Sequence, residues 1–219
     1  IGDTVPAWGT AYRAVTVGSS GSIWASKTGT SLTVIADNSY FNGSNYIARN
    51  TQAGTDYTQS TGNHTFSSAP SVSAGATQTF TTKMKIDADG HVTMPLQTSV
   101  GVKPSSTQTG FSHNSSVLVV LGTEVYDTNS NFASNTFTAP VDGQYLVCMN
   151  LYLTNLDSAA TYYELQTISS NQTFYAIMDP DFGQDAVYHT LSWNGVIHMD
   201  ASDTCLFRVY QAQGTTGQT

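Results

Sequence analysis

The segment Asp179-Pro180-Asp181-Phe182-Gly183-Gln184-Asp185 brings three carboxylates into one short stretch. Hard cations such as Ca²⁺ are held by several oxygens, so Asp179, Asp181 and Asp185 are the candidate metal ligands of this sequence. The glycine and terminal glutamate spacing of an EF-hand loop is absent. Asp, Pro and Gly also favour solvated turns, and that is the plainer reading. No cofactor is expected, and Ca²⁺ is the ion this loop would suit. Asp87-x-Asp89-Gly90 raises the same question, and a hairpin turn accounts for it. The five histidines (His64, His91, His113, His189, His198) form no His-x-x-x-His pair or Cys/His quartet, which argues against zinc. There is no Gly-x-Ser-x-Gly elbow and no phosphate-cradling glycine loop. A glycosidase needs paired carboxylates, and Glu124 and Glu164 are the only glutamates, with aspartates as the alternative. No catalytic residue is assigned, and the chain reads as a non-enzyme. Trp8, Trp24 and Trp193 could stack on sugars, as could Tyr162, Tyr163, Phe174, Tyr175 and Tyr188 near expected loops. Such residues serve more often as core or interface anchors.

The elements that position these groups are β-strands. Only 10% of the 219 residues are charged, against about 25% in ordinary soluble proteins. Hydroxyl, amide, glycine and tyrosine residues take their place, so the surface is solvated by neutral polar groups. The formal net charge is −8, and the seven basic residues are scattered. Phosphate recognition needs clustered cations, so nucleic acid is not an expected partner. No apolar run approaches the ~18 residues of a membrane-spanning helix, and membrane insertion is not expected. Two cysteines, Cys148 and Cys205, are too few for a disulfide-stapled scaffold.

Helical periodicity is absent, whereas short β-branched and aromatic runs alternate with Gly, Asn, Ser and Asp, the pattern of an all-β protein. Residues 1–94 read as a strand-rich shaft or base, with strands at Tyr12–Val17, 31–35, 45–51, 63–67 and 78–86. Met84 and Ile86 alternate with polar residues up to Asp89-Gly90, and Val92 and Met94 follow, which predicts a hairpin. Many of these strands are polar on both faces, so the region is expected to intertwine or stack with other copies to bury enough apolar area. Residues 95–101 read as a linker. Residues 102–219 are more apolar. The strand beginning at Tyr145 carries Tyr145, Val147, Met149, Leu151 and Leu153 on one face and Leu146, Cys148, Asn150 and Tyr152 on the other. The run 204–210 repeats the pattern. Two apolar faces imply that both are buried, one of them by a partner subunit.

The segment Phe132-x4-Phe137-Thr138-Ala139-Pro140-Val141-Asp142-Gly143-Gln144-Tyr145 resembles the C1q/TNF-like jelly-roll family through its Phe-x-x-Pro-x-x-Gly-x-Tyr spacing. Gly110-Phe111-Ser112, Thr123–Asp127 and Met199-Asp200-Ala201-Ser202-Asp203-Thr204-Cys205 extend the likeness, with Ser202 and Cys205 departing from its usual Gly and aliphatic residue. The resemblance covers roughly half the chain. It implies a homotrimer about a three-fold axis, with Cys148, Asn150, Tyr152, Leu206 and Tyr210 lining the interface. It also implies a core of Tyr145, Val147, Met149, Cys205, Phe207 and Val209. Cys148 and Cys205 would then face opposite ways and not pair. His113 or His189 is where a metal would sit if a histidine faced the axis. The family closes with a further strand, which the segment Gly214-Thr215-Thr216-Gly217-Gln218-Thr219 does not supply.

Met84-Lys85-Ile86-Asp87-Ala88-Asp89-Gly90-His91-Val92, preceded by 62–70, resembles segments of viral tail fibres. Together the two resemblances imply a trimeric fibre or capsid-decorating protein on the surface of a bacteriophage virion. Expected partners are further copies of itself, other virion proteins and a host-surface glycan or receptor. A secreted C1q-like recognition protein and a glycan-cleaving tail spike are the alternatives.

Overall fold

The computed structural model describes residues 7–215 and is all-β. The chain divides into two compact units, one ending at Gln97 and the other beginning at Thr98. The first unit holds β1 (Tyr12–Val17), β2 (Gly21–Ser26), β3 (Leu32–Asp37), β4 (Ser39–Phe41), β5 (Tyr46–Ala48), β6 (Gly54–Ser60), β7 (Asn63–Ala69), β8 (Thr77–Gln78), β9 (Thr81–Ile86) and β10 (Val92–Thr93). The second holds β11 (Val100–Lys103), β12 (Ser116–Leu118), β13 (Thr123–Asp127), β14 (Phe132–Ala133), β15 (Thr136–Thr138), β16 (Gly143–Leu156), β17 (Ala160–Ser169), β18 (Thr173–Met178), β19 (Ala186–Met199) and β20 (Thr204–Gln213). Val100 and Gly101, read from sequence as linker, open β11.

In the first unit a seven-stranded antiparallel sheet runs in the order β1-β2-β3-β6-β7-β9-β10, and a small sheet β4-β5-β8 accompanies it. Trp24, Val34 and Ala36 form the buried centre, with Trp8, Tyr12, Phe41 and Tyr46 packed around them. Their rings meet at tilted and edge-on angles, for example Trp8 on Trp24 at 5.2 Å and Tyr12 on Phe41 at 5.1 Å between centroids. A buried centre thus exists within one chain, where the polar strands led to the expectation of burial against other copies. A few large aromatic rings supply the area that the polar strands lack, since each buries ~150–250 Å². The predicted hairpin is present, with Ile86 opposite Val92 and Gly90 at φ +90° in the turn. Asp87 closes it, its Oδ1 accepting the amides of Asp89 and His91 at 3.0 and 2.9 Å.

One buried group in this unit is under-satisfied. Asp56 is 7% exposed, and its Oδ1 has no hydrogen-bond partner. Burial raises its pKa above the ordinary value of 3.8, opposed by a hydrogen bond to the Ser67 side chain.

In the second unit, one sheet runs β14-β15-β20-β17-β18, with β12 also pairing β20, and β16 pairs β19 in another. The chain crosses between sheets from β16 to β17, from β18 to β19 and from β19 to β20, which is jelly-roll connectivity. Inward-facing Met149, Leu151, Leu153, Leu165, Leu191 and Val209 form the main core together with Tyr163 and Leu156. A second cluster holds Ala139, Ile197, Met199 and Cys205, with Tyr145 and Val147 against it. The core residues implied by the jelly-roll resemblance therefore lie inside. The Pro140 turn is locked on both sides: Tyr145 donates its hydroxyl to the Val141 carbonyl at 2.6 Å, and Asp142 accepts the Ala201 amide at 2.7 Å. Gly195 leaves room for the Trp193 ring, because a Cβ there would come within 2.6 Å of it.

Two outcomes follow from burial. A carboxylate with a raised folded pKa binds its proton more tightly in the folded state. Stability is therefore present below 3.8 and is lost as pH rises through the raised value. Asp56→Asn should remove that loss, so that the urea midpoint of the variant gains on wild type between pH 4 and pH 7, with Trp fluorescence as the probe. Parallel curves for the two proteins would contradict this account. Separately, burial pushes the Cys205 thiol up to about 11, and it lies inside the sandwich. Maleimide at neutral pH should leave Cys205 unlabelled until the chain is unfolded, as peptide mass spectrometry would show.

Candidate functional site

Among the described residues, the acidic loop and the histidines are engaged in turn and packing contacts. Asp185 accepts the Ser158 amide and hydroxyl, both at 2.9 Å, and Asp179 caps the Asp181 amide at 3.1 Å. Asp179, Asp181 and Asp185 are not gathered around a common point. Among the described residues the triad that is gathered is Asp87, Asp89 and His91, whose ligand atoms lie within 4.8 Å of one another. There the His91 Nδ1 sits 3.1 Å from Asp87 Oδ2. The backbone bond from His91 is the largest effect holding the Asp87 carboxyl below its ordinary pKa. These contacts are those of a turn lock, as the Asp-Gly spacing implies. His189 shares the inward-facing side of β19 and packs at 5.9 Å from Phe182, and His113 is exposed beside Asn114.

The aromatic candidates are also redistributed. Trp24 is 2% exposed and Tyr163 fully buried, so neither is open to a sugar ring. Trp8 packs at a tilt on Trp24, and Trp193 packs on Phe174 at 5.0 Å. Tyr162, Tyr163, Phe174, Tyr175 and Tyr188 lie on strands rather than loops, because their alternation with smaller residues fits a pleated sheet. Tyr175 and Tyr188 are exposed.

What the second unit presents outward is a sheet face. β16 and β19 are 14-residue strands in antiparallel register. Alternation sends one side of each into the core and leaves the other free. On the free side stand Gln144, Leu146, Cys148, Asn150 and Tyr152 from β16, opposite His198, Val196, Asn194, Ser192 and Thr190 from β19. All of these are exposed, and none is Asp, Glu, Lys or Arg. Leu146 is 74% and Val196 59% exposed, and they face each other as one cross-strand pair. Tyr152 and Tyr188 stack at 5.6 Å with 20° between planes.

The resemblance implied that Cys148, Asn150, Tyr152, Leu206 and Tyr210 share a surface. The structure places the first three on this face and the last two elsewhere. β20 belongs to the other sheet, where Leu206 stands opposite Ile168 and Tyr210 opposite Glu164. Leu206 and Tyr210 alternate with the inward-facing Cys205 and Val209, so they point away from the sandwich core on its far side. Both are half-buried. Sequence alternation had the correct parity for both strands but no information on which sheet each would join. Val196, which completes the free face, was missed, and Tyr188 was assigned to a loop, because β19 was not anticipated as a strand. Its Tyr-x-Thr-x-Ser-x-Asn-x-Val alternation from Tyr188 to Val196 was the available signal.

The first unit has a free face of its own. Val15, Ile23, Ile35, Tyr57, Phe66 and Met84 stand opposite one another in register from β1 to β9. Val15, Ile23, Ile35 and Phe66 are each more than 40% exposed. Tyr57 stacks on Phe66 at 4.8 Å, extending the row as a continuous apolar band.

No protein-family model matches this chain, and no curated protein matches it. Among solved structures, the globular domain of zebrafish complement 1qA protein is similar over 55% of this chain and 84% of that chain. The two share 17% sequence identity, with a TM-score of 0.40.

Proposed function

We propose that this chain is a non-catalytic assembly protein that forms a homotrimer and serves as a fibre or capsid-decorating protein on a bacteriophage particle. The observation that carries the assembly reading is the free face of β16 and β19. The exposed pair Leu146 and Val196 and the stacked pair Tyr152 and Tyr188 stand on a sheet face without charged side chains and are costly to leave in water, and exposed apolar groups of this kind mark interaction sites. An uncharged face also removes the like-charge repulsion that would otherwise oppose packing copies of one acidic chain. The apolar band across the first unit gives the same protein a second face suited to association. The trimeric state rests on the C1q/TNF-like motif around Pro140, and the virion setting on the fibre-like segment at 84–92 together with the low-charge composition. Host attachment would use exposed aromatic side chains outside that face, such as Tyr175, rather than chemistry.

A secreted C1q-like recognition protein is the second reading, favoured by the Phe137-to-Tyr145 motif. Antibody labelling of intact particles separates the two, because only the first puts the chain on a virion.

The assembly reading has a direct measurement. Light scattering with chromatography should give a mass near three times 23.4 kDa. Leu146→Arg with Val196→Arg should reduce it to a monomer with an unchanged circular dichroism spectrum. Maleimide labelling of exposed Cys148 should slow as protein concentration rises through the assembly range. A wild-type monomer at every concentration would overturn the proposal.

A further inference from the structure

The second unit contains two ribbons that each stop one strand short. Among the described residues β11 pairs only with β13, and β16 only with β19. β11 and β16 therefore each keep one edge of main-chain N–H and C=O groups that pairs with no strand. A cleft of about 500 Å³ lies between them. One wall is the consecutive run 98–102, and the other is the consecutive run 145–149. In a pleated strand successive side chains point to opposite sides, so a wall made of consecutive residues is the backbone edge itself. Between the walls lie Phe132, Phe137 and Phe207. No Asp, Glu, Lys or Arg lines the cleft.

Exposed strand edges are ordinarily blunted by a charge, a proline or a bulge. β16 has none of these along Gly143–Leu153: that run is free of Pro and of charged side chains, and its register with β19 is continuous. Along the cleft, at 145–149, its outer edge pairs with no strand among the described residues.

We propose that this cleft binds an extended, uncharged segment of a partner polypeptide by strand addition. The segment would hydrogen-bond to β16 on one side and β11 on the other, making one continuous sheet β13-β11-segment-β16-β19. The run of five residues on each wall sets the paired length at about five residues. Alternate side chains of the segment point toward Phe132, Phe137 and Phe207 and must be aliphatic. The intervening ones emerge beside exposed Leu146 and Cys148 and are neutral. A charged segment is rejected because nothing in the cleft would compensate a desolvated charge. Pairing along the edge is distinct from packing on the β16–β19 face, so the two associations use different groups of the same strand.

The test uses the full chain at one fixed concentration and two blocked synthetic heptapeptides, Thr-Val-Thr-Val-Thr-Val-Thr and its counterpart with Asp at each Val position. Amide hydrogen exchange is followed by NMR or mass spectrometry. The valine peptide should slow exchange at least tenfold within 145–149 and 99–102, saturably, and the aspartate peptide should have no effect. Three results would overturn the proposal. One is no added protection at those amides. Another is equal protection along β1 and β18, the open outer strands of the two large sheets, which would make the effect unselective edge pairing. The third is protection that is present without peptide and grows with protein concentration, which assigns the cleft to a second copy of the chain.

Discussion

Strict alternation along β16 and β19 is the constraint on which the second unit depends. Because the two strands pair in register from Gly143 to Thr154, every inward residue up to Leu153 is fixed once one of them is; beyond it Asn155 takes φ +56° and Leu156 turns into the core. Met149, Leu151, Leu153, Leu191, Ile197 and Met199 are thereby committed to the core, and Leu146, Cys148, Tyr152 and Val196 to the outside. A shift of one residue would bury Asn150 and Asn194 and expose the core set. The turn at Pro140 sets that register at one end, through the Tyr145 hydroxyl and the Asp142 carboxylate.

The same alternation produces an outward surface unlike an ordinary solvated one. Water-facing strands usually carry charge, and this chain has little to spend: its cations and anions are sparse, and none stands on the β16–β19 face. Neutral polar groups keep such a face soluble while imposing small desolvation penalties on contact. Apolar pairs within it supply the attraction. The first unit follows the same plan by another route, with a large aromatic cluster on one side of its sheet and a cross-strand apolar row on the other. Each unit is folded by one face and left with a second face to use.

Buried polar groups sharpen this picture. Asp56, on β6 of the first unit, is buried with one partial compensation, from Ser67 on the neighbouring strand. A neutral carboxyl suits that place better than a carboxylate, so proton binding and folding are linked there. Cys205 is the corresponding case in the second unit: a thiol kept neutral by burial behaves as a small apolar side chain.

Much of the strand pattern was legible in the sequence, because alternation and turn residues are local signals. The β1 boundaries, the Asp89-Gly90 hairpin and the inward set Tyr145, Val147, Met149 could be read from period two and from glycine's tolerance of positive φ. Strands β2, β6 and β19 escaped because Gly, Ser, Thr and Asn dilute their apolar signal. What only the tertiary structure decided was partnership. Alternation states which residues share one side of a strand, but not which strand lies beside it, since that depends on loop closure and on packing between residues far apart in sequence. This is why Cys148, Asn150 and Tyr152, expected to share one interface with Leu206 and Tyr210, stand on the free face of β16 while the latter two lie on the opposite sheet. It is also why the open edge of β16 became visible only when its neighbours were known.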